Sequence, residues 1–272
     1  MDVFISADVE GVAGIASWSQ ITPGADDYAV GRSLMIGEVN AAIEGAAAAG
    51  AGRIVVNDAH SRMTNLLPEA VDPRARLVLG HAKPLYMLQG LDASFDAVFF
   101  VGYHGSLGEP EAILSHTYNP RAIWEAKVDG RVVGEIGINA LVCEYFGVPI
   151  RLVTGDQATV REAREVVSSV HVAEVKRSFG RYSAESLSPA DARRVIRNEA
   201  EASLSAIAQS EQMRRSVTLE LTFYIADMAS MAEWIRGVER TGPRTVVFTA
   251  SDGLQAYQTF YAILTLTRSI AE

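Results

Sequence analysis

The chain is expected to be an α/β protein: a doubly wound, mostly parallel sheet with an attached hairpin and a smaller C-terminal lobe. Two features of the sequence predict this. Short runs of β-branched and aromatic residues alternate with longer windows of helical periodicity, the pattern that crossover helices between parallel strands produce. The alternation breaks at Asp129-Gly130, which separates Ile123 to Val128 from Arg131 to Val133 with the turn chemistry of an antiparallel hairpin. At 272 residues the chain is long for one domain and short for two. A single domain, 1–272, is expected, with sub-lobes 1–182 and 215–272 joined by a helical segment.

The elements follow in order. Val3 to Ala7 opens the sheet, Asp27 to Ala49 is a long alanine-rich helix, and Arg53 to Asn57, Arg76 to Leu79 and Ala97 to Val101 are further strands. After the hairpin come a helix from Glu135 to Phe146, a strand from Ile150 to Thr154 and a helix from Thr159 to Val167. The charged stretch Ser183 to Gln209 reads as helical. Its helix, Pro189 to Ala208, starts with Ser188 as N-cap, proline at the first position and Asp191 in the first turn. Val217 to Phe223 and Thr245 to Thr249 are strands of the second lobe, Ala226 to Arg236 and Leu254 to Ser269 its helices.

Hydrophobic residues make up 49% of the chain and charged residues 21%, which suits a packed core and excludes disorder. Acidic residues outnumber basic ones 33 to 24, and the cations are scattered. The basic stripe that binds a nucleic-acid backbone is missing, so no such partner is expected. No apolar run of about 18 residues occurs and the N-terminus does not read as a leader, so a cytoplasmic protein without a membrane partner is expected. Cys143 is the one cysteine. That excludes a disulfide scaffold or a cysteine-built zinc site, and its helical window makes it a buried structural thiol.

In open α/β sheets ligands bind beyond the carboxyl ends of the strands. The first strand runs into Asp8-Val9-Glu10-Gly11, the second into Asn57-Asp58-Ala59-His60-Ser61, and Ala97 to Val101 into Gly102-Tyr103-His104-Gly105. Three strand ends thus deliver carboxylates or imidazoles to one edge. That donor set suits zinc and related divalent ions, and a shared carboxylate is a common way to hold two. Singly, each residue has a plainer role: Asp8 as a helix cap or ribose ligand, Glu10 as a solvated acid, His60 or His104 as a structural histidine. Their conjunction in a chain with five histidines points to metal. His116, in Leu114-Ser115-His116-Thr117, and Glu135, where hairpin meets helix, are further candidates, although Glu135 also simply complements a helix dipole. His81 and His171 lack acidic neighbours after a strand and read as structural or surface residues. Gly102-x-x-Gly105-x-x-Gly108 lacks the opening of a dinucleotide fingerprint, and neither a phosphate loop nor a serine-nucleophile elbow occurs.

Five segments together resemble, in order and spacing, the DppA-type D-aminopeptidases, a family of zinc-dependent peptidases. They are Ser6-Ala7-Asp8-Val9-Glu10-Gly11, Asn57-Asp58-Ala59-His60-Ser61 with Asn65-Leu66 after it, Gly102-Tyr103-His104, Ser115-His116-Thr117 and Val133-Gly134-Glu135-Ile136-Gly137-Ile138-Asn139-Ala140. The likeness extends less specifically to Gly155-Asp156, Leu187-Ser188-Pro189 and Ala256-Tyr257, and so covers most of the chain. It implies two zinc ions per chain, with Asp8 bridging them, Glu10 and His60 completing one shell, and His104 and Glu135 the other. It implies that His116 is the catalytic histidine that binds no metal, and that the lobe 1–182 carries the site. A ring-shaped homodecamer with its sites facing an inner cavity is implied as well, as is activity on short peptides that begin with a D-amino acid. The hairpin turn and the loop Gly105 to Ala112 depart from the family pattern, which leaves the ligands intact and the substrate preference open.

The expected chemistry is attack by a water that bridges two divalent cations, with the cations polarising the scissile carbonyl. His116 either donates a proton to the leaving amine or hydrogen-bonds the oxyanion, the second being slightly favoured. A free substrate ammonium would pair with an acid, for which Glu10 and Asp58 are candidates. Two other readings fit the residues: a two-metal amidohydrolase acting on a small non-peptide amide, and a metal-stabilised binding module, which would have no use for His116. Trp18, Trp124 and Trp234 read singly as ordinary core, but aromatic side chains are also enriched at subunit interfaces and not all three need be core.

Overall fold

The structure is a computed structural model that describes residues 1–167, 169–205 and 212–271. The chain runs β1 (Asp2–Ala7), α1 (Tyr28–Ala48), β2 (Arg53–Asp58), β3 (Ala75–Val78), β4 (Ala97–Val101), β5 (Ile123–Val128), β6 (Arg131–Val133), α2 (Glu135–Phe146), β7 (Ile150–Asp156) and α3 (Gln157–Val166). It continues through β8 (His171–Gly180), β9 (Ser183–Ser186), α4 (Pro189–Ser203), β10 (Val217–Phe223), α5 (Ala226–Ala232), β11 (Glu239–Arg240), β12 (Thr245–Ala250) and α6 (Gly253–Thr267). The larger sheet has seven strands in the order β3-β2-β1-β4-β7-β8-β9, parallel except for β9, which turns back beside β8. A second, antiparallel sheet has the order β11-β12-β10-β5-β6.

β1 and β4 lie at the centre of the parallel sheet and are buried on both faces, which is why they read as continuous apolar runs. One face carries α1 and α4, whose apolar sides close with Val3, Ile5, Met35, Ile43 and Ile196 in one cluster. The helices meet at Gly45, where a Cβ would stand 2.3 Å from the Arg197 carbonyl oxygen. On the other face a single cluster joins Phe4 and Phe100 to Ile138 of α2, Phe223 of β10 and Phe260 of α6. The C-terminal lobe therefore shares its core with the parallel sheet. The hairpin β5–β6 belongs to the second sheet, with Val128 registered against Leu219 of β10.

The helix α4 starts as expected, with the Ser188 hydroxyl accepting the Asp191 N–H at 3.2 Å. Of the helix expected from Pro189 to Ala208, residues 206–208 lie outside the described residues. Ser183 to Ser186, expected to be helical, forms β9, and β8 was not anticipated at all. Both have a physical reason: β9 is short and exposed, and β8 interrupts its apolar pattern with Glu174, Lys176 and Arg177. Among the described residues no helix is long and apolar enough to cross a membrane.

Candidate metal centre

Three loops meet at the carboxyl edge of the parallel sheet. β1 delivers Asp8 and Glu10, β2 delivers His60, and β4 delivers His104. The first and third touch directly, because the Gly11 N–H donates to the Gly102 carbonyl at 2.8 Å. A Cβ on Gly11 would stand 1.7 Å from the Tyr103 carbonyl oxygen, so only glycine permits the approach. Glu135, the first residue of α2, and His116, between β4 and β5, close the ring of side chains. All six predicted residues are buried together.

The three histidines share one arrangement. His60 Nε2 lies 3.0 Å from the Ile21 carbonyl, His104 Nδ1 3.1 Å from that of Gly105, and His116 Nδ1 2.9 Å from that of Leu114. A carbonyl only accepts, so each of those nitrogens carries the proton, and the other nitrogen turns a lone pair inward. His60 Nδ1 is 3.2 Å from both Asp8 Oδ1 and Glu10 Oε2. His104 Nε2 is 3.6 Å from Asp8 Oδ2 and 3.4 Å from Glu135 Oε1. His116 Nε2 stands further off, 3.9 Å from Glu10 Oε1 and 3.8 Å from Glu135 Oε1.

Lone pairs aimed at buried carboxylates repel unless protons or cations lie between them. Glu10 Oε2 and His104 Nε2 have no hydrogen-bond partner. Two sets of donor atoms, Asp8 with Glu10 and His60 and Asp8 with His104 and Glu135, each fall within 4.8 Å and share Asp8. A third set, Glu10 with His104 and His116, draws in His116. Carboxylate with imidazole fits zinc and its neighbours.

Without a cation the groups must share protons. Burial, then the charge of Glu10, raises Asp8 to about 8. Burial pushes Glu10 and Glu135 up, but the imidazoles of His60 and His104 respectively outweigh it and hold both below the carboxylate range. Burial opposes charge on His104, yet Glu135 and the other carboxylates raise it to about 10. His116 moves the other way, down to about 4, through burial and then through His104.

Two buried lysines hold the loops in place, and neither was singled out from the sequence. Lys176 Nζ on β8 donates to the carbonyls of Glu10, Val12 and Ile15 at 2.6, 2.8 and 2.7 Å. From the other side the Glu38 carboxylate accepts the Ala13 N–H at 2.8 Å. Lys83 Nζ donates to the Asp58 carbonyl and to Asn57 Oδ1 at 2.8 and 2.6 Å, fixing the turn that leads to His60. Burial lowers both lysines to about 8. Nothing in the sequence separates either lysine from a surface cation, because the strand that carries Lys176 was itself not recognised.

Asp58, a candidate partner for a substrate ammonium, is fully buried and does not line the cavity over the site. Its carboxylate accepts the Asn65 and Leu66 backbone N–H groups at 2.5 and 2.8 Å and the Asn65 side-chain amide at 2.8 Å, so its lone pairs are committed to shaping the His60 loop. Of the two acids considered for that role, only Glu10 lines the cavity over the site. That cavity holds about 910 Å³. His81, read as structural or surface, sits on its wall, while His171 pairs with Glu199 at 3.0 Å away from it. Trp18 also lines the cavity, edge-on to His116 with centroids 5.7 Å apart, whereas Trp124 and Trp234 are exposed. Cys143 is a buried free thiol, pushed up by that burial.

A model of the D-aminopeptidase family matches residues 1–262. A D-aminopeptidase from Bacillus subtilis (strain 168) is 34% identical over 276 residues, which spans 98% of this chain and 97% of that protein. A solved structure described as the Zn-dependent D-aminopeptidase DppA from Bacillus subtilis, a self-compartmentalizing protease, is similar with a TM-score of 0.93 and 33% identity, covering 98% of both chains.

Proposed function

The chain belongs to the D-aminopeptidase family, and we propose from that premise that it is a two-zinc aminopeptidase removing the N-terminal residue from short peptides that begin with a D-amino acid. Asp8 is assigned as the carboxylate shared by both ions, Glu10 and His60 as the other ligands of one, and His104 and Glu135 as those of the second. The observation that carries this reading is the orientation of the imidazoles, each tied to a backbone carbonyl through one nitrogen while the other faces the carboxylates around Asp8.

Zinc bound there supplies Lewis acidity, acidifying a water and polarising the scissile carbonyl. The chain's own contribution to proton traffic is assigned to His116. Its Nδ1 proton is committed to the Leu114 carbonyl, and burial with the nearby His104 keeps the ring neutral at pH 7. Its Nε2 therefore accepts a proton from the attacking water and returns it to the leaving amine. Stabilising the oxyanion, slightly favoured from the sequence, would require that nitrogen to carry a proton beforehand.

Residues 1–272 are read as one metallopeptidase domain acting in a cytoplasmic homodecamer. Support for assembly comes from the likeness to a protease described as self-compartmentalizing. It also comes from Trp124, Phe179 and Trp234, which are 49%, 60% and 74% exposed and are of the kind that subunit interfaces cover. Elemental analysis joined to turnover of D-aminoacyl and L-aminoacyl dipeptides beside cyclic amides tests the whole reading. Zinc-dependent cleavage of the D-aminoacyl dipeptides is expected, and a preference for cyclic amides would make the chain an amidohydrolase.

A further inference from the structure

The cavity above the candidate metal centre separates its charges. Its lining acids are Asp8, Glu10 and Glu135, all at the metal centre, while Arg121, Arg181 and Arg268 line it elsewhere. None of the three guanidiniums has a carboxylate partner among the described residues. Arg181 is the best anchored. Its Nε donates to the Ser115 carbonyl at 3.2 Å, and its own carbonyl accepts the Leu114 N–H at 2.9 Å. Its Cζ lies 5.7 Å from the Trp18 ring centre, and Trp18 in turn meets His116. The guanidinium is therefore held by one hydrogen bond and a ring beside the residue that precedes His116, its main chain pinned by a second bond, with its terminal nitrogens unpaired among the described residues.

We propose that Arg181, aided by Arg121 and Arg268, forms a subsite for the C-terminal carboxylate of a short peptide whose N-terminal residue lies at the metal centre. The proposal rests on the aminopeptidase reading and narrows its substrate class to peptides with a free C-terminus. A cavity of about 910 Å³ lies in the range of small-ligand pockets. Arginine presents paired N–H donors that match a carboxylate, and such charge-assisted bonds strengthen where water is largely excluded. A carboxylate on an acidic side chain next to the scissile bond offers the same chemistry, so the test must separate the two sources.

Three peptides do so: D-alanyl-glycine, D-alanyl-glycinamide and D-alanyl-glutamic α-amide, whose only free carboxylate is on the side chain. Calorimetric binding to the metal-free protein and steady-state turnover by the zinc-loaded protein are both measured. The free acid is expected to bind more tightly, and to show a lower KM, by about ten- to a hundredfold over the glycinamide, with the glutamic α-amide resembling the glycinamide. In Arg181→Gln this preference should fall by about tenfold or more, chiefly through KM. Arg268→Gln, on an exposed side chain, repeats the comparison should Arg181→Gln fail to fold. Equal binding of acid and amide overturns the subsite and leaves the aminopeptidase reading intact. Tight binding of the glutamic α-amide assigns the arginines to side-chain acids and overturns the C-terminal assignment. Binding preference for the free acid without turnover of any peptide supports the subsite and overturns the aminopeptidase reading.

Discussion

The Lys176 Nζ lies 2.6 Å from the carbonyl oxygen of Glu10, so a buried cation from β8 fixes the backbone of a residue at the floor of the cavity. The same ammonium holds Val12 and Ile15. The loop after β1 is thus shaped through its backbone carbonyls, while the Asp8 and Glu10 carboxylates face His60.

Replacing Lys176 should expose how much the site depends on that grip. Lys176→Met removes a donor from three backbone carbonyls, of which that of Val12 keeps the Ile15 N–H at 3.1 Å, a loss on the order of 3 kcal/mol. Denaturant unfolding should show that loss, and competition with a chelator should show weaker metal binding by the folded fraction. Unchanged metal affinity in a folded variant would make Lys176 purely structural.

His116 is expected to act after the metal site has formed. His116→Ala should keep its metal and lose about 10² to 10⁴ in kcat, the range for an acid–base group. Metal content and turnover measured on one preparation check this. A variant that loses metal would make His116 a ligand, as its membership in the third donor set permits.

Close approach of the loops depends on Gly11. Gly11→Ala would place a methyl 1.7 Å from the Tyr103 carbonyl oxygen and force the β1 and β4 loops apart. A fall in Tm together with reduced metal binding is the expected outcome, and a wild-type melting curve would show that the loops yield easily.

Glu38 supplies a pH dependence. Burial raises its carboxyl from 4.5 to about 7. Between those values the folded chain keeps a proton that the unfolded chain has released. Its contribution to stability is therefore present below pH 4.5 and lost as the pH rises to about 7, on the order of 3 kcal/mol in all. Glu38→Gln has no such proton to lose. Unfolding free energies of the metal-free proteins, measured from about pH 5 to about pH 8, should move in favour of the variant as pH rises. A difference constant with pH contradicts the assignment.

The grouping of the candidate centre was legible because binding groups in open α/β sheets follow strands: Asp8 and Glu10 follow β1, His60 follows β2 and His104 follows β4. The supporting shell was not. Lys83 and Lys176 bond to backbone carbonyls, which no side-chain motif records, and Asp58 looked like a free acid until its loop folded back on it. The hairpin β5–β6 was visible from Asp129-Gly130, but its partner β10 lies about ninety residues on, and local turn chemistry says nothing about distant pairing.

The most direct test of the central claim, a two-ion centre built around Asp8, is the zinc-to-chain ratio of the purified protein and of Asp8→Ala. Two ions per chain are expected in active protein, and both should be lost from the folded variant, because the carboxylate removed is shared. One ion per chain in fully active protein, or an Asp8→Ala chain that retains two, would contradict it.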